Sequence, residues 1–182
     1  MSDDTGASWS EISAGLPAAA ESRITMIATD ADDDQQVWVT MAGFVNGRKV
    51  FYSPNAGSSW QNVSGSLPNL PVNCIIYDAS EPGGDNSVYI GTDVGVWFRD
   101  SSLNDWIPYM TGLPNVPVFD MEIHAASGML RAGTFGRGIW KSPLYDPDLT
   151  SPTVACPPNQ TASPGAGCVL VLPDFGNLAL TT

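Results

Sequence analysis

Short runs of apolar and β-branched residues alternate with turn residues along most of this chain, and no window sustains a helical period with capping residues. The pattern predicts strands over residues 23–30, 36–41, 49–53 and 60–63, which form one unit. A second unit follows in the same order, over residues 72–77, 87–92, 94–99 and 106–109. A third has strands at 116–124, 129–134 and 138–142 and then breaks off without its last strand. Residues 1–14 read as the closing turn and last strand of a unit whose beginning is absent. Glycines such as Gly47, Gly91, Gly95 and Gly136 fall where tight hairpins are expected, so each unit is an antiparallel four-stranded sheet.

The units are repeats. Trp9, Trp60 and Trp106 are each followed six residues later by Gly15-Leu16-Pro17, Ser66-Leu67-Pro68 and Gly112-Leu113-Pro114. The tryptophans lie 51 and 46 residues apart, and a period near ~40 to 50 residues built from four strands is that of propeller blades. The expected fold is therefore all-β, a partial β-propeller with two complete and two incomplete blades. A ring typically takes about four to eight blades, so the expected partners are the remaining blades of a longer chain. Without them the open ends expose unpaired strands and apolar blade faces.

Before two of the tryptophans stand Ser2-Asp3-Asp4-Thr5-Gly6-Ala7-Ser8-Trp9 and Ser53-Pro54-Asn55-Ala56-Gly57-Ser58-Ser59-Trp60. Both fit Ser-x-Asp/Asn-x-Gly-x-Ser-Trp. In a hairpin between third and fourth strands, Asp4 or Asn55 accepts backbone N–H bonds across the turn. Gly6 or Gly57 takes a conformation that a Cβ penalises, and Trp9 or Trp60 packs its ring under the turn while its indole N–H seeks an acceptor. The pattern resembles the Asp-box, or BNR repeat, of sialidase-like and sortilin-like β-propellers. A third copy, residues 100–106, keeps Trp106 and loses the glycine, and the run from Gly133 to Lys141 resembles the last-blade signature of secreted Asp-box propellers. In that family the Asp-box turns lie at the blade periphery, so the resemblance implies a structural role for Ser2, Asp4, Gly6, Trp9, Ser53, Asn55, Gly57 and Trp60.

Prolines then mark a change of composition, and residues 146–152 read as a linker out of a propeller region spanning 1–145. Cys74 sits alone among strand residues as a buried thiol. Cys156 and Cys168 lie close together in Pro- and Gly-rich sequence as a candidate disulfide, which places the chain in an oxidising compartment. The Cys-Pro and Gly-x-Cys elements between Ser151 and the end resemble the opening of a hyalin-repeat (HYR) domain. They imply a truncated immunoglobulin-like segment at 153–182 and a secreted or surface multidomain protein, most often a bacterial one.

A net charge of −12 disfavours nucleic acid and anionic membranes as partners through long-range repulsion. Membrane insertion is not expected either, because no stretch approaches the ~20 apolar residues that a spanning helix needs. The expected location is extracellular or cell-surface. Carboxylates at Asp30, Asp32, Asp33 and Asp34 are weak candidates for Ca²⁺, with a solvated acidic turn as the other reading; no other cofactor is expected. Asp120 and Glu122 share a strand face as the one close in-strand carboxylate pair, with Tyr89 and Arg131 on neighbouring blades; His124, the one histidine, reads as a strand residue with a satisfied ring. No catalytic residue is assigned. The function expected is a non-catalytic scaffold or recognition propeller binding glycan or protein, with a fragment of a sialidase-like or xyloglucanase-like glycoside hydrolase as the alternative.

Overall fold

The computed structural model describes residues 1–2, 4–18, 22–80 and 86–146. Contacts divide the chain after Leu144, and the unit that ends there holds all the strands among the described residues. The candidate disulfide of Cys156 with Cys168, the linker beyond residue 146 and the HYR-like segment lie outside the described residues.

Runs rich in valine, isoleucine and aromatic residues become strands because branched side chains fit a pleated, half-buried surface. In chain order they are β1 (Ile24–Thr29), β2 (Val37–Met41), β3 (Val50–Ser53), β4 (Gln61–Asn62), β5 (Val72–Tyr77), β6 (Val88–Thr92), β7 (Gly95–Arg99), β8 (Ile107–Pro108), β9 (Val118–His124), β10 (Met129–Thr134) and β11 (Gly138–Pro143). They make three antiparallel sheets in consecutive order: β1-β2-β3-β4, β5-β6-β7-β8 and the three-stranded β9-β10-β11. Strands β5 and β10 have the bounds that the sequence pattern predicts. The outer strands β4 and β8 shrink to two paired residues each.

Residues 1–14 form no strand, in contrast to the sequence expectation. What remains there is one antiparallel pair: the Met1 ammonium donates to the Ser10 carbonyl at 2.7 Å and the Ser10 N–H donates to the Met1 carbonyl at 2.8 Å. A strand needs a neighbour to satisfy its amides, and the described residues offer this segment no third strand to pair with.

The sheets pack as successive blades. Strand β5 adjoins both β1 and β9, and all three carry a register shift at their first residues. At the first shift the Thr25 hydroxyl donates to the Val72 carbonyl at 2.7 Å, tying the first blade to the second. Between those blades lies the main core: Trp38, Val50 and Leu67 from one side, Val72, Ile75, Val88, Ile90 and Trp106 from the other. Trp38 sits with ring centroids 4.8 Å from Tyr52 and 5.2 Å from Tyr77, so one indole bridges two blades. Full burial of each such aliphatic side chain contributes about 1.5–3 kcal/mol. A second cluster, Val39, Met41 and Phe51 with Leu16 and Trp60, occupies the opposite face of the first blade under the N-terminal segment. The architecture is all-β, a partial propeller of four-stranded blades whose third blade has three strands among the described residues.

Candidate functional site

The two Ser-x-Asp/Asn turns have superposable hydrogen bonding. In the first, Asp4 Oδ1 accepts from the Ser8 N–H at 2.9 Å and its Oδ2 from the Ser8 hydroxyl at 2.6 Å, while Ser2 Oγ accepts from the Gly6 N–H at 2.8 Å. In the second, Asn55 Oδ1 accepts from the Ser59 N–H at 2.8 Å and Ser53 Oγ from the Gly57 N–H at 2.7 Å. Residues Thr5 and Gly6, like Ala56 and Gly57, adopt positive φ. Hydrogen bonds from the Ser8 side chain, the Ser8 amide and Ser2 hold the Asp4 carboxyl at about 2, well below its ordinary value. Both carboxylate oxygens are engaged within the turn. The third turn is built differently, with Asp100 Oδ1 accepting from Ser102 and Leu103 at 2.8 Å.

The tryptophans do more than pack beneath their own turns. Trp60 Nε1 donates to the Ile12 carbonyl at 2.7 Å, and Trp106 Nε1 to the Val63 carbonyl at 2.7 Å. Ile12 and Val63 each stand three residues after a marker tryptophan, so each indole reaches back to the preceding repeat. Trp106 is 4% exposed, whereas Trp9 is 77% exposed and has no acceptor among the described residues. Gly57 lies against Ile12, where a Cβ would come within 2.6 Å of the Ile12 Cδ1.

The acidic loop closes on itself. Asp30 is buried, accepting from the Asp32 N–H at 2.9 Å and the Tyr77 hydroxyl at 2.9 Å. Burial, then the hydrogen bond to Asp30, raises the Tyr77 phenol above its ordinary value. Asp33 caps the Gln35 N–H and binds the Gln36 amide, and Asp34 binds the Gln35 amide. Among the described residues no three His, Cys, Asp or Glu side chains converge on a point that would hold a metal ion.

Other candidates are separated. Tyr89 is fully buried against Phe98 and Tyr109, with centroids 4.8 and 5.4 Å away, out of reach of any substrate. Asp120 and Glu122 lie on β9 opposite Gly133 and Arg131 of β10, with Asp120 Oδ1 accepting from the Met121 N–H at 3.0 Å. His124 Nδ1 bonds the Ser127 hydroxyl at 2.8 Å. Cys74 is a buried thiol 3.7 Å from the Val118 carbonyl, and burial pushes its pKa up to about 12, so it stays protonated and unreactive at neutral pH.

Two features escape sequence reasoning. A cavity of about 450 Å³ opens between the second and third blades, lined by Val96, Tyr109, Leu113, Leu130, Ala132 and Trp140. Exposed aromatics cap the hairpins at one end of the blades: Phe44 in the β2–β3 connection and Phe135 in the β10–β11 connection, 66% and 71% exposed. Phe119 meets Phe135 edge-on at 6.1 Å. A lone phenylalanine in a turn carries no periodicity, so no pattern flags it.

The chain is similar in structure to the GH74 xyloglucanase from Xanthomonas campestris, with a TM-score of 0.57 and 19% identity over 78% of this chain. The likeness is one of fold. It supports the β-propeller reading of the three sheets, and the chain spans 25% of that protein's length. No protein-family model matches the chain, and no curated protein matches it either. Among the described residues no helix is long and apolar enough to cross a membrane.

Proposed function

We propose that the chain is a non-catalytic recognition module, part of a propeller in a secreted or surface multidomain protein. It binds a glycan or protein ligand at the end where the β2–β3 and β10–β11 hairpins turn. The observation that carries this reading is the exposure of Phe44 and Phe135 on equivalent hairpins. Exposed aromatic rings on rigid hairpins are anchors for a partner, since they offer a large contact area and few rotamers to immobilise. In this reading the paired turns at Asp4 and Asn55 are Asp-boxes with a structural role, because their polar atoms are engaged internally. The remaining blades of the ring lie beyond the three seen here.

The alternative is a fragment of a glycoside hydrolase of the sialidase-like or xyloglucanase-like kind, and the structural likeness to a xyloglucanase favours it. Asp120 and Glu122 are then the carboxylates to test. Affinity electrophoresis against a panel of polysaccharides that includes xyloglucan, together with a reducing-sugar assay, separates the two readings. Retardation by a glycan that is lost in Phe44→Ala and Phe135→Ala, without sugar release, supports recognition. Sugar release abolished by Glu122→Gln overturns it.

A further inference from the structure

Charge is divided unevenly between the two ends of the blades. The chain has 7 lysines and arginines against 19 aspartates and glutamates, yet Arg23, Arg48, Lys49 and Arg137 all gather where the β2–β3 and β10–β11 hairpins turn. Arg23 precedes β1, and its carbonyl accepts from the Ala42 N–H at 2.9 Å, which places it beside the β2–β3 connection. Arg48 lies in that connection and Arg137 at the tip of the β10–β11 hairpin, and all three arginines are exposed. Lys49 is buried beneath the same connection, its ammonium donating to the Gly43 carbonyl at 2.8 Å. The carboxylates on these strand ends and hairpins are Asp93 and Asp120, and Asp93 accepts from the Asn73 amide at 3.0 Å.

The opposite end is acidic. Asp30, Asp32, Asp33 and Asp34 follow β1, Asp78 follows β5 and Asp100 follows β7, with Arg99 as the basic residue on those strand ends. One strand length separates the two ends: β1 has 6 residues, and at about 3.3 Å each they span about 20 Å. At physiological salt the Debye length is about 8 Å, so an anion docked at the hairpins is screened from the acidic loops and meets the local guanidiniums. The net charge of −12 opposes approach from a distance and has little hold on the docked contact.

We propose, resting on the recognition reading above, that the ligand at the hairpin end is a carboxylated polysaccharide, a chain of uronate sugars. Its carboxylates pair with Arg137 and Arg23, whose planar guanidiniums match a carboxylate fork to fork. Its sugar rings lie on Phe44 and Phe135, which offer apolar faces that a hydrated charge alone does not use. Phe44 and Arg48 share one hairpin and Phe135 and Arg137 another, so each of these tips holds a ring and a cation a few residues apart. A ligand that engages both reaches from the first blade to the third, which takes an extended polymer. An acidic peptide fits less well, because the hairpin tips present no strand edge for a peptide backbone to pair with. Duplex nucleic acid carries one charge per about 1.7 Å of its axis and calls for a continuous basic track, whereas the guanidiniums here are spread over two hairpins and the start of a strand.

Affinity electrophoresis of the full chain in polygalacturonate, in its methyl ester, in xyloglucan and in poly-glutamate tests the proposal. Methyl esterification removes the charge and keeps the sugar ring. The expected result is retardation by polygalacturonate that is relieved by salt at about 0.5 M and absent with the ester. Arg137→Gln and Arg23→Gln are each expected to weaken binding by about fivefold; both positions are exposed, so the fold tolerates the change. Retardation by xyloglucan and by the ester equal to that by polygalacturonate, and unchanged in both arginine variants, overturns the anionic ligand and leaves the recognition reading standing. Equal retardation by poly-glutamate shows that charge alone is read and overturns the choice of a polysaccharide. Retardation by none of the four polymers overturns the proposal and the recognition reading together.

Discussion

The two inter-blade interfaces of this molecule share one construction and differ in how the space between the blades is filled. Between the first and second blades, Trp106 donates to the Val63 carbonyl, is almost wholly buried, and leaves beside it a cavity of about 200 Å³ lined by Trp38, Tyr52, Val63 and Val88. Between the second and third, with no such tryptophan among the described residues, the cavity is about 450 Å³. Inner strands close the hub side of both interfaces alike, through contacts such as Cys74 against Val118. The difference shows that neighbouring blades are joined by two separate devices: a hub of buried inner strands, and a peripheral tryptophan that reaches from one repeat into the last.

That division sets the size of each expected effect. Trp106→Ala opens the first interface as the second is already open, and loss of a large buried aromatic is expected to destabilise by about 3–5 kcal/mol in urea unfolding. A smaller loss than about 1 kcal/mol would mean that the wedge is packing filler and the comparison fails. Gly91→Ala attacks the hub of the second interface instead, where a Cβ would meet Cys74 Sγ at 2.5 Å and the Val118 carbonyl oxygen at 2.9 Å. Overpacking against backbone is expected to cost about 1–3 kcal/mol there, read as a lower melting temperature. Trp9→Ala is expected to change stability by no more than about 0.5 kcal/mol, because that ring buries little. The three variants together rank a buried interface tryptophan, a hub contact and an exposed ring.

The smallest effect distinguishes the two matching turns. Asp4 is lowered to about 2 from 3.8, so its contribution is complete above 3.8 and is lost as pH falls through about 2. Asn55 does the same work with a neutral amide. Acidification to pH 2 is therefore expected to shift the Ser8 amide resonance and leave that of Ser59 in place, as followed by NMR. Equal shifts at both positions would show that acid acts on the blades as a whole.

Much of this organisation is legible in the residue order. Period-two runs place β5 and β10 with their full bounds, and the marker tryptophans give the number of repeats, because strand pairing and turn chemistry are local and each unit writes them out again. The turn around Asn55 is legible for the same reason: Ser53, Asn55, Gly57 and Ser59 bond among themselves. Tyr89 shows where this kind of reading fails. It stands among strand residues like any other aromatic, and only the packing of its cross-strand partner Phe98 and of Tyr109, 20 residues away in the same blade, over its ring buries it.

The sequence by itself determined the all-β class, the four-stranded unit and the positions of its turns, since these depend on alternation and on residues a few places apart. Tertiary structure alone decided where the Trp60 and Trp106 indoles donate. An indole's acceptor lies one repeat away, at a separation of 43 to 48 residues, and no local pattern encodes a partner that only the stacking of blades brings within 3 Å. The same stacking decided that Trp106 is buried, that Trp9 is exposed, and that a cavity remains between the second and third blades.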